Sequence, residues 1–208
     1  YGGGTRSHFK FDKVVTVRGL YGDARTDPNP PRIWGRWHAP DADPVVKEGD
    51  NAIRALYVTA AATFEGLVFE NSSCMHNISY RGGCVVDVNG GVAAKFSKCV
   101  FRNNVSYDGT LRGSKFIVTD CVFSNNTGGC VYFAAEIRNT LIVGNTGGGI
   151  WHDTSSSPLV VGCTISNNFT SLYGSGIYSK GERTVVTYRG EALAQDSLTV
   201  RVMSNNRL

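Results

Sequence analysis

The segments FSKCVFRNN at residues 96–104 and VTDCVFSNN at residues 118–126 carry the same pattern twice. Related copies flank them, with FEGLVFEN at 64–71, IRNTLIVGN at 137–145 and VVGCTISNN at 160–168. The position that Cys99 occupies recurs at 67, 121, 140 and 163, so the successive steps are 32, 22, 19 and 23 residues. A repeat of about this length indicates a solenoid built from similar coils.

A second, glycine-rich motif follows most of these copies. It appears as GGCVV at 82–86, GGCVY at 128–132, GGGIW at 147–151 and GSGIY at 174–178. Each period therefore holds a short strand, an asparagine turn, a glycine turn and another strand, with the apolar alternation of half-buried β-structure. This pattern predicts an all-β, parallel β-helix of about seven to nine coils. A loop-rich β-sandwich is disfavoured because its strands would not keep one register over five copies.

The asparagines of the repeat are predicted to act at one corner of the coils. Four of them occupy the same register position, namely Asn71, Asn103, Asn125 and Asn167. Stacked side-chain amides can each donate to one neighbour and accept from the next, as in cross-β stacks. Asparagine also tolerates the left-handed backbone of a sharp corner. We therefore expect these four residues to form both the left-handed turn and an amide ladder.

The repeat resembles a known group of proteins. FEN at 69–71, FRN at 101–103 and FSNN at 123–126 alternate with GGCV and GGGI. This alternation is similar to the Phe-x-x-Asn and Gly-Gly-Ala-Ile repeats in the passenger regions of polymorphic outer-membrane proteins, and to the wider pectate-lyase-like superfamily. Counted strictly, the family asparagine falls at Ser72, Asn104 and Asn126. The resemblance covers about residues 64–180 and implies a right-handed β-helix that is secreted or displayed on a cell surface.

Length and composition are consistent with one solenoid domain over residues 1–208. No apolar run approaches the ~18 residues of a membrane span, and no cluster of Lys or Arg indicates a nucleic-acid surface. The net charge of +4 favours acidic partners such as uronic-acid polysaccharides. Residues 23–50 are predicted to form a long inserted loop, because they are rich in proline and lack the repeat. The C-terminus lacks a polar cap, so we expect the solenoid to be truncated or to continue there.

Six cysteines occur, and Cys99, Cys121 and Cys163 share one inward position of the repeat. Buried cysteine behaves as a small apolar residue, so the pattern predicts a ladder of free thiols in the core. A disulfide between Cys99 and Cys121 is the alternative, since adjacent coils are about 4.8 Å apart. No Cys-x-x-Cys pair is present, which disfavours a zinc site.

The glycine-rich strands predict a row of aromatic side chains on the outside of the solenoid. If Val85, Val131, Ile150 and Ile177 point inward, the residues after them point outward, namely Val86, Tyr132, Trp151 and Tyr178. Aromatic rings in a row can stack on sugar rings. We therefore predict carbohydrate binding by Tyr132, Trp151 and Tyr178, with Trp34 and Trp37 of the inserted loop as a second wall. The alternative is that a loop covers the rings or that they only pack on one another.

Candidates for catalysis are few. His152, Asp153 and Lys180 flank the predicted aromatic row, with Asp87 farther away. Polysaccharide lyases with a β-helix fold use a basic side chain against an acidic sugar, often with calcium, whereas glycoside hydrolases use carboxylates. No group of carboxylates shares a register position on adjacent coils, so no cofactor is predicted, and calcium stays an open alternative. Alternation turns His152 inward, which favours a buried role for it.

The other strand of the repeat predicts an apolar stripe on the outer surface, where a partner chain or the inserted loop would lie. The stripe consists of Val68, Val100, Val122, Leu141 and Thr164. These features give three functional hypotheses. The first is an adhesin-like, secreted or cell-surface domain that binds carbohydrate or another surface. The second is a polysaccharide lyase or glycoside hydrolase acting on an acidic polysaccharide, and the third is a structural spacer of a longer solenoid.

Overall fold

The structure is a computed structural model that describes residues 7–35, 54–74, 85–152, 158–171, 175–179, 185–188 and 191–192. Its regular elements are strands of two to five residues, and none of the described residues is helical. Short strands follow from the repeat, because an asparagine, aspartate, lysine or glycine with positive φ ends ten of them after three or four residues.

The strands follow one another in coils. Coil 1 holds β1 (Ser7–Phe11), β2 (Val15–Arg18) and β3 (Arg32–Trp34). Coil 2 holds β4 (Arg54–Val58), β5 (Ala62–Glu65), β6 (Val68–Glu70) and β7 (Ser73–Cys74). Coil 3 holds β8 (Val86–Val88), β9 (Ala94–Ser97), β10 (Val100–Arg102) and β11 (Val105–Ser106).

The later coils repeat the first three strands. Coil 4 holds β12 (Leu111–Arg112), β13 (Ile117–Thr119) and β14 (Val122–Ser124). Coil 5 holds β15 (Val131–Tyr132), β16 (Glu136–Arg138) and β17 (Leu141–Val143). Coil 6 holds β18 (Ile150–His152), β19 (Leu159–Val161) and β20 (Thr164–Ser166). Coil 7 holds β21 (Ile177–Ser179), β22 (Val185–Tyr188) and β23 (Glu191–Ala192).

Each strand pairs with its counterpart one coil away, which builds three long sheets. Sheet A has the order β1-β4-β8-β12-β15-β18-β21, sheet B has β2-β5-β9-β13-β16-β19-β22-β23, and sheet C has β20-β17-β14-β10-β6-β3. The pairings are parallel except for β22 with β23, and β7 with β11 adds a short fourth sheet. Pairing across whole coils is the mark of a solenoid, so the predicted all-β parallel β-helix is confirmed.

The core consists of side chains stacked in register inside the coils. Phe101 lies between Phe69 and Phe123, with ring centroids 4.8 and 4.5 Å away and planes nearly parallel. The apolar residues of the repeat that point into the coils are buried, namely Leu67, Phe69, Phe101, Phe123, Ile142 and Ile165. A second stack from sheet B faces this one, and its rings Phe64 and Phe96 lie 5.1 Å apart.

The asparagine corner differs from the prediction by one residue. Asn71, Asn103, Asn125 and Asn167 have the expected left-handed backbone, with φ between 53° and 56°. They do not form the ladder, because the left-handed residue turns the chain at the corner and the next side chain points inward. The buried ladder consists instead of Asn104, Asn126, Asn145 and Asn168. Each Nδ2 donates to the Oδ1 of the next amide, at 2.9, 3.0 and 2.8 Å.

The predicted thiol ladder is confirmed for the cysteines described. Cys99 and Cys121 are buried, Cys163 is partly buried, and none of the three forms a disulfide. The Cys121 thiol donates to the carbonyls of Phe96 and Thr119 at 3.6 and 3.3 Å. Burial raises the pKa of the Cys121 thiol, and its neighbour Cys99 raises it further. The side chains of Cys74 and Cys84 lie outside the described residues.

The prediction of a loop over residues 23–50 is wrong at residues 32–34, which form a strand. Strand β3 lies inside it and pairs in parallel with β6, which places Ile33 beside Phe69 in the core. Residues 23–27 lie against the corner between sheets B and C, where the Ala24 amide donates to the Lys98 carbonyl at 3.0 Å. Residues 36–50 lie outside the described residues.

Candidate functional site

The outer face of sheet A carries the aromatic row that the sequence predicts. Strand pairing puts Tyr132 beside Trp151, and Trp151 beside Tyr178, on three successive coils. All three side chains are half-buried, and their inward neighbours Val131 and Ile150 lie in the core. We call Tyr132, Trp151 and Tyr178 the aromatic column.

The rings of the aromatic column overlap only in part. The centroids of Tyr132 and Trp151 are 5.2 Å apart with planes at 30°, and those of Trp151 and Tyr178 are 5.8 Å apart with planes at 15°. Fully superposed rings would lie about 3.5–4 Å apart, so these rings are slipped past one another. The column therefore packs on itself, as the alternative interpretation expected, and its half-buried rings also keep accessible surface.

One end of the column rests on glycine backbone. A Cβ on Gly109 would lie 2.8 Å from Cδ1 of Tyr132, and a Cβ on Gly129 would lie 2.8 Å from its Cε1. The absence of side chains at these two positions lets the tyrosine ring lie flat against the turns. Phe133 has a left-handed backbone with φ of 64°, and its ring stands edge-on to Trp151 at 4.9 Å. These contacts hold the column in one orientation.

The column continues along sheet A as polar residues. Arg112 pairs in register with Tyr132, Asp87 with Arg112, and Tyr57 with Asp87. The prediction that Val86 points outward is wrong, because Val86 is buried opposite Leu111 and Asp87 takes the outward place. The GGCVV copy has one more residue between its glycines and the inward position than the GGCVY copy has.

Arg112 is held by two neighbours. Its Nη1 lies 2.9 Å from Oδ2 of Asp108, and the two side chains are only 23% and 24% exposed. Its guanidinium carbon lies 5.6 Å from the ring centroid of Phe133, within the range of a cation–π contact. The repeat pattern does not single out Arg112, because its strand lacks a Gly-Gly pair. The signal was Gly109, which precedes the inward Leu111 by two residues as Gly129 precedes Val131.

Comparison with known families agrees with this geometry. The family model for the right-handed β-helix region matches residues 52–192, which is more than half of the chain. The chain belongs to the right-handed β-helix family. No curated protein and no solved structure gives a significant match. The resemblance drawn from the repeats is confirmed at the level of architecture, and right-handed β-helix membership alone does not assign a ligand.

Of the three predicted catalytic residues, His152 lies within the described part of this right-handed β-helix. His152 is fully buried on β18, as alternation predicted, so it cannot touch a chain lying on the outer face. Asp153 and Lys180 lie outside the described residues, and a catalytic role for them stays a prediction. Within the described ranges, no three His, Cys, Asp or Glu side chains form a group that could hold a metal ion.

Trp34, one of the two tryptophans of the predicted second wall, is not brought to the aromatic column. Trp34 lies on the outer face of sheet C, where it pairs with Glu70 and is 44% exposed. It therefore belongs to a different face of the β-helix from Trp151, and Trp37 lies outside the described residues. Beside Trp34, the buried Glu70 carboxylate accepts from Arg32 and Arg102 at 3.4 and 2.7 Å, which gives this edge a structural ion-pair cluster.

The outer face of sheet C carries the predicted apolar stripe in register. Val68 is buried, Val100 and Val122 are half-buried, and Leu141 is 37% exposed. A partner on this stripe stays a prediction. Searching the described part of the chain finds no helix long and apolar enough to cross a membrane.

Proposed function

We propose that this β-helix binds a glycan chain along the outer face of sheet A, through the aromatic column. The observation that carries the proposal is the placement of three slipped aromatic rings on successive coils. Tyrosine and tryptophan supply large, rigid and amphipathic contact area at a low entropic cost. The apolar C–H face of a pyranose ring can lie against such a surface, while its hydroxyl groups stay in water.

The rigidity of the support favours this function. The strands of Tyr132 and Trp151 are bonded to both neighbouring coils, and the strand of Tyr178 is bonded to that of Trp151. One such bond runs from the Phe133 amide to the Trp151 carbonyl at 3.1 Å. Coils repeat at about 4.8 Å, a step similar in length to one sugar unit of an extended polysaccharide. A polymer running parallel to the solenoid axis would therefore meet equivalent positions on successive coils. We infer an extracellular or cell-surface, adhesin-like setting, since polymeric glycans are found there.

Replacement of Trp151 tests the proposal. Trp151→Ala removes the central ring, so we expect polysaccharide binding to weaken by about 1–2 kcal/mol, or roughly fivefold to thirtyfold. Because Trp151 also contacts Tyr132, Phe133 and Tyr178, the same variant should lose about 1–3 kcal/mol of stability. Retardation in affinity gels containing a polysaccharide, measured below the unfolding transition, reports on binding.

A control of similar stability separates binding from folding. Ile142→Val trims a buried side chain of sheet C and should cost about 0.5–1.5 kcal/mol, without changing gel retardation. Equal retardation of Trp151→Ala and the unmodified protein would contradict the proposal, as would the absence of retardation by any polysaccharide tested. New reducing ends or unsaturated products in the same mixtures would instead support the lyase or hydrolase alternative.

A further inference from the structure

The charges beside the aromatic column bear on which glycans it can take. Arg112 is the outward residue next to Tyr132, and its guanidinium is paired with Asp108. The next outward residue beyond Arg112 is a carboxylate, Asp87. At the far end of sheet A, Lys10 lies 3.9 Å from Asp12. Arg112 and Lys10, two cations of this face whose side chains are described, therefore each have a carboxylate partner.

The pairing of Arg112 with Asp108 opposes the binding of an acidic sugar. Asp108 lies in the loop that leads into β12, four residues before Arg112, so it is always present at a high effective concentration. A ligand carboxylate would have to displace Asp108 from Nη1 of Arg112, and it would then face the displaced Asp108 carboxylate. Like charges only a few ångströms apart repel each other at the surface. The side of Arg112 that meets Phe133 is already occupied by the ring contact.

The positive net charge of the whole chain does not alter the balance of charges beside the aromatic column. The net charge is +4, and it would by itself favour acidic partners. Several of the cations lie near the other faces, for example Arg18 and Lys98 around Glu65. Salt screens charges beyond about 8 Å at physiological ionic strength, so distant cations contribute little at the column. Asp153 and Lys180, which lie outside the described residues, have opposite signs.

We infer that the aromatic column selects neutral glycans over acidic ones, and that the ion pair of Asp108 with Arg112 sets this selectivity. This inference rests on the proposed function. The ligand class is a neutral polysaccharide whose pyranose rings expose apolar faces, and its binding depends on ring contacts rather than on charge. Such binding should change little with salt, whereas binding driven by ion pairs weakens as the salt concentration rises.

Affinity gels with matched polysaccharides test the selectivity. The unmodified protein should be retarded by a neutral glucan or glucomannan to the same extent at low and physiological salt, and less by alginate or polygalacturonate. Asp108→Asn removes the carboxylate and keeps the side-chain size. It should raise affinity for the acidic polymers about threefold to fivefold at low salt, the range of one surface ion pair, and leave neutral binding unchanged. Asp12→Asn, which changes the residue directly after β1 and lies far from the column, is the control.

The outcomes separate this inference from the proposed function. Retardation by no polysaccharide would overturn both. Retardation of the unmodified protein by acidic polymers more than by neutral ones would overturn the neutral selectivity and leave glycan binding in place. Unchanged acidic binding in Asp108→Asn would overturn the role of the ion pair. Adding Arg112→Gln to Asp108→Asn should abolish the gain, and unfolding midpoints of all variants should show that they remain folded.

Discussion

The buried amide ladder makes a sharp prediction about stability, and Asn126 is its best test. The Oδ1 of Asn126 accepts from the backbone amide and the Nδ2 of Asn104, at 3.1 and 2.9 Å. Its Nδ2 donates to the Phe101 carbonyl and to Oδ1 of Asn145, both at 3.0 Å. Asn126→Ala therefore removes four hydrogen bonds from the interior of the solenoid.

The expected loss of stability depends on which hydrogen-bond partners of Asn126 keep another bond in Asn126→Ala. The Nδ2 of Asn104 keeps the Phe69 carbonyl at 3.1 Å, and Oδ1 of Asn145 keeps the backbone amide of residue 126 at 2.9 Å. The backbone amide of Asn104 loses the acceptor that the ladder gives it. One stranded buried donor costs about 1–3 kcal/mol, and each lost bond contributes about 0.5–1.5 kcal/mol. We expect Asn126→Ala to lower the free energy of unfolding by about 2–4 kcal/mol, a large share of the total stability of a typical domain.

Urea unfolding of Asn126→Ala beside its neighbour measures this difference. Asn125 is exposed and has φ of 53°, a backbone that glycine adopts without strain. Asn125→Gly is thus expected to change stability by less than about 0.5 kcal/mol. The urea midpoints of the two variants should differ widely, whereas the slope of the free energy of unfolding against urea concentration should be the same. Equal effects of the two substitutions, or a larger effect at Asn125, would refute the assignment of the ladder to the residue after the corner.

Two further predictions concern the core. Phe101→Ala removes the middle ring of the buried phenylalanine stack and should cost about 3–5 kcal/mol in urea unfolding, and a loss below about 1 kcal/mol would contradict the packing. In the native protein, a thiol reagent should modify the partly exposed Cys163 first. Cys121 and Cys130, whose thiol pKa values are raised by burial, should react only after unfolding. Peptide mapping checks the order, and a crosslink between Cys99 and Cys121 would argue against a ladder of free thiols.

The sequence was sufficient to predict the coils because the same inward and outward positions recur in every copy of the repeat. A one-residue slip would turn every side chain to the other face, and five copies agree on which residues point inward. The amide ladder was misplaced because Asn125 and Asn126 are identical residues, and only the direction of the chain at the corner distinguishes them. The fifth coil held the missing signal: Gly144 takes the left-handed position there, with φ of 65°, and leaves Asn145 for the ladder.

The outer face was harder to predict than the core for a physical reason. Inward positions are constrained by packing against the next coil, so apolar residues recur there and reveal the register. Outward positions accept any residue, and the outward residue of sheet A accordingly changes on successive coils from Asp87 to Arg112 to Tyr132. The partner of Arg112 comes from a loop outside the repeat, and no periodicity encodes that contact.

The inner and outer stacks share one coil spacing but use it differently. Inside, the rings of Phe101 and Phe123 overlap closely at 4.5 Å, because close packing in the core leaves no other arrangement. Outside, Trp151 and Tyr178 slip to 5.8 Å, since only the sheet beneath them limits their tilt. The slip reduces ring-to-ring contact and so leaves aromatic surface exposed to water. Covering that surface with a sugar ring would recover the lost contact, and this gain is the physical basis of the glycan site that we propose.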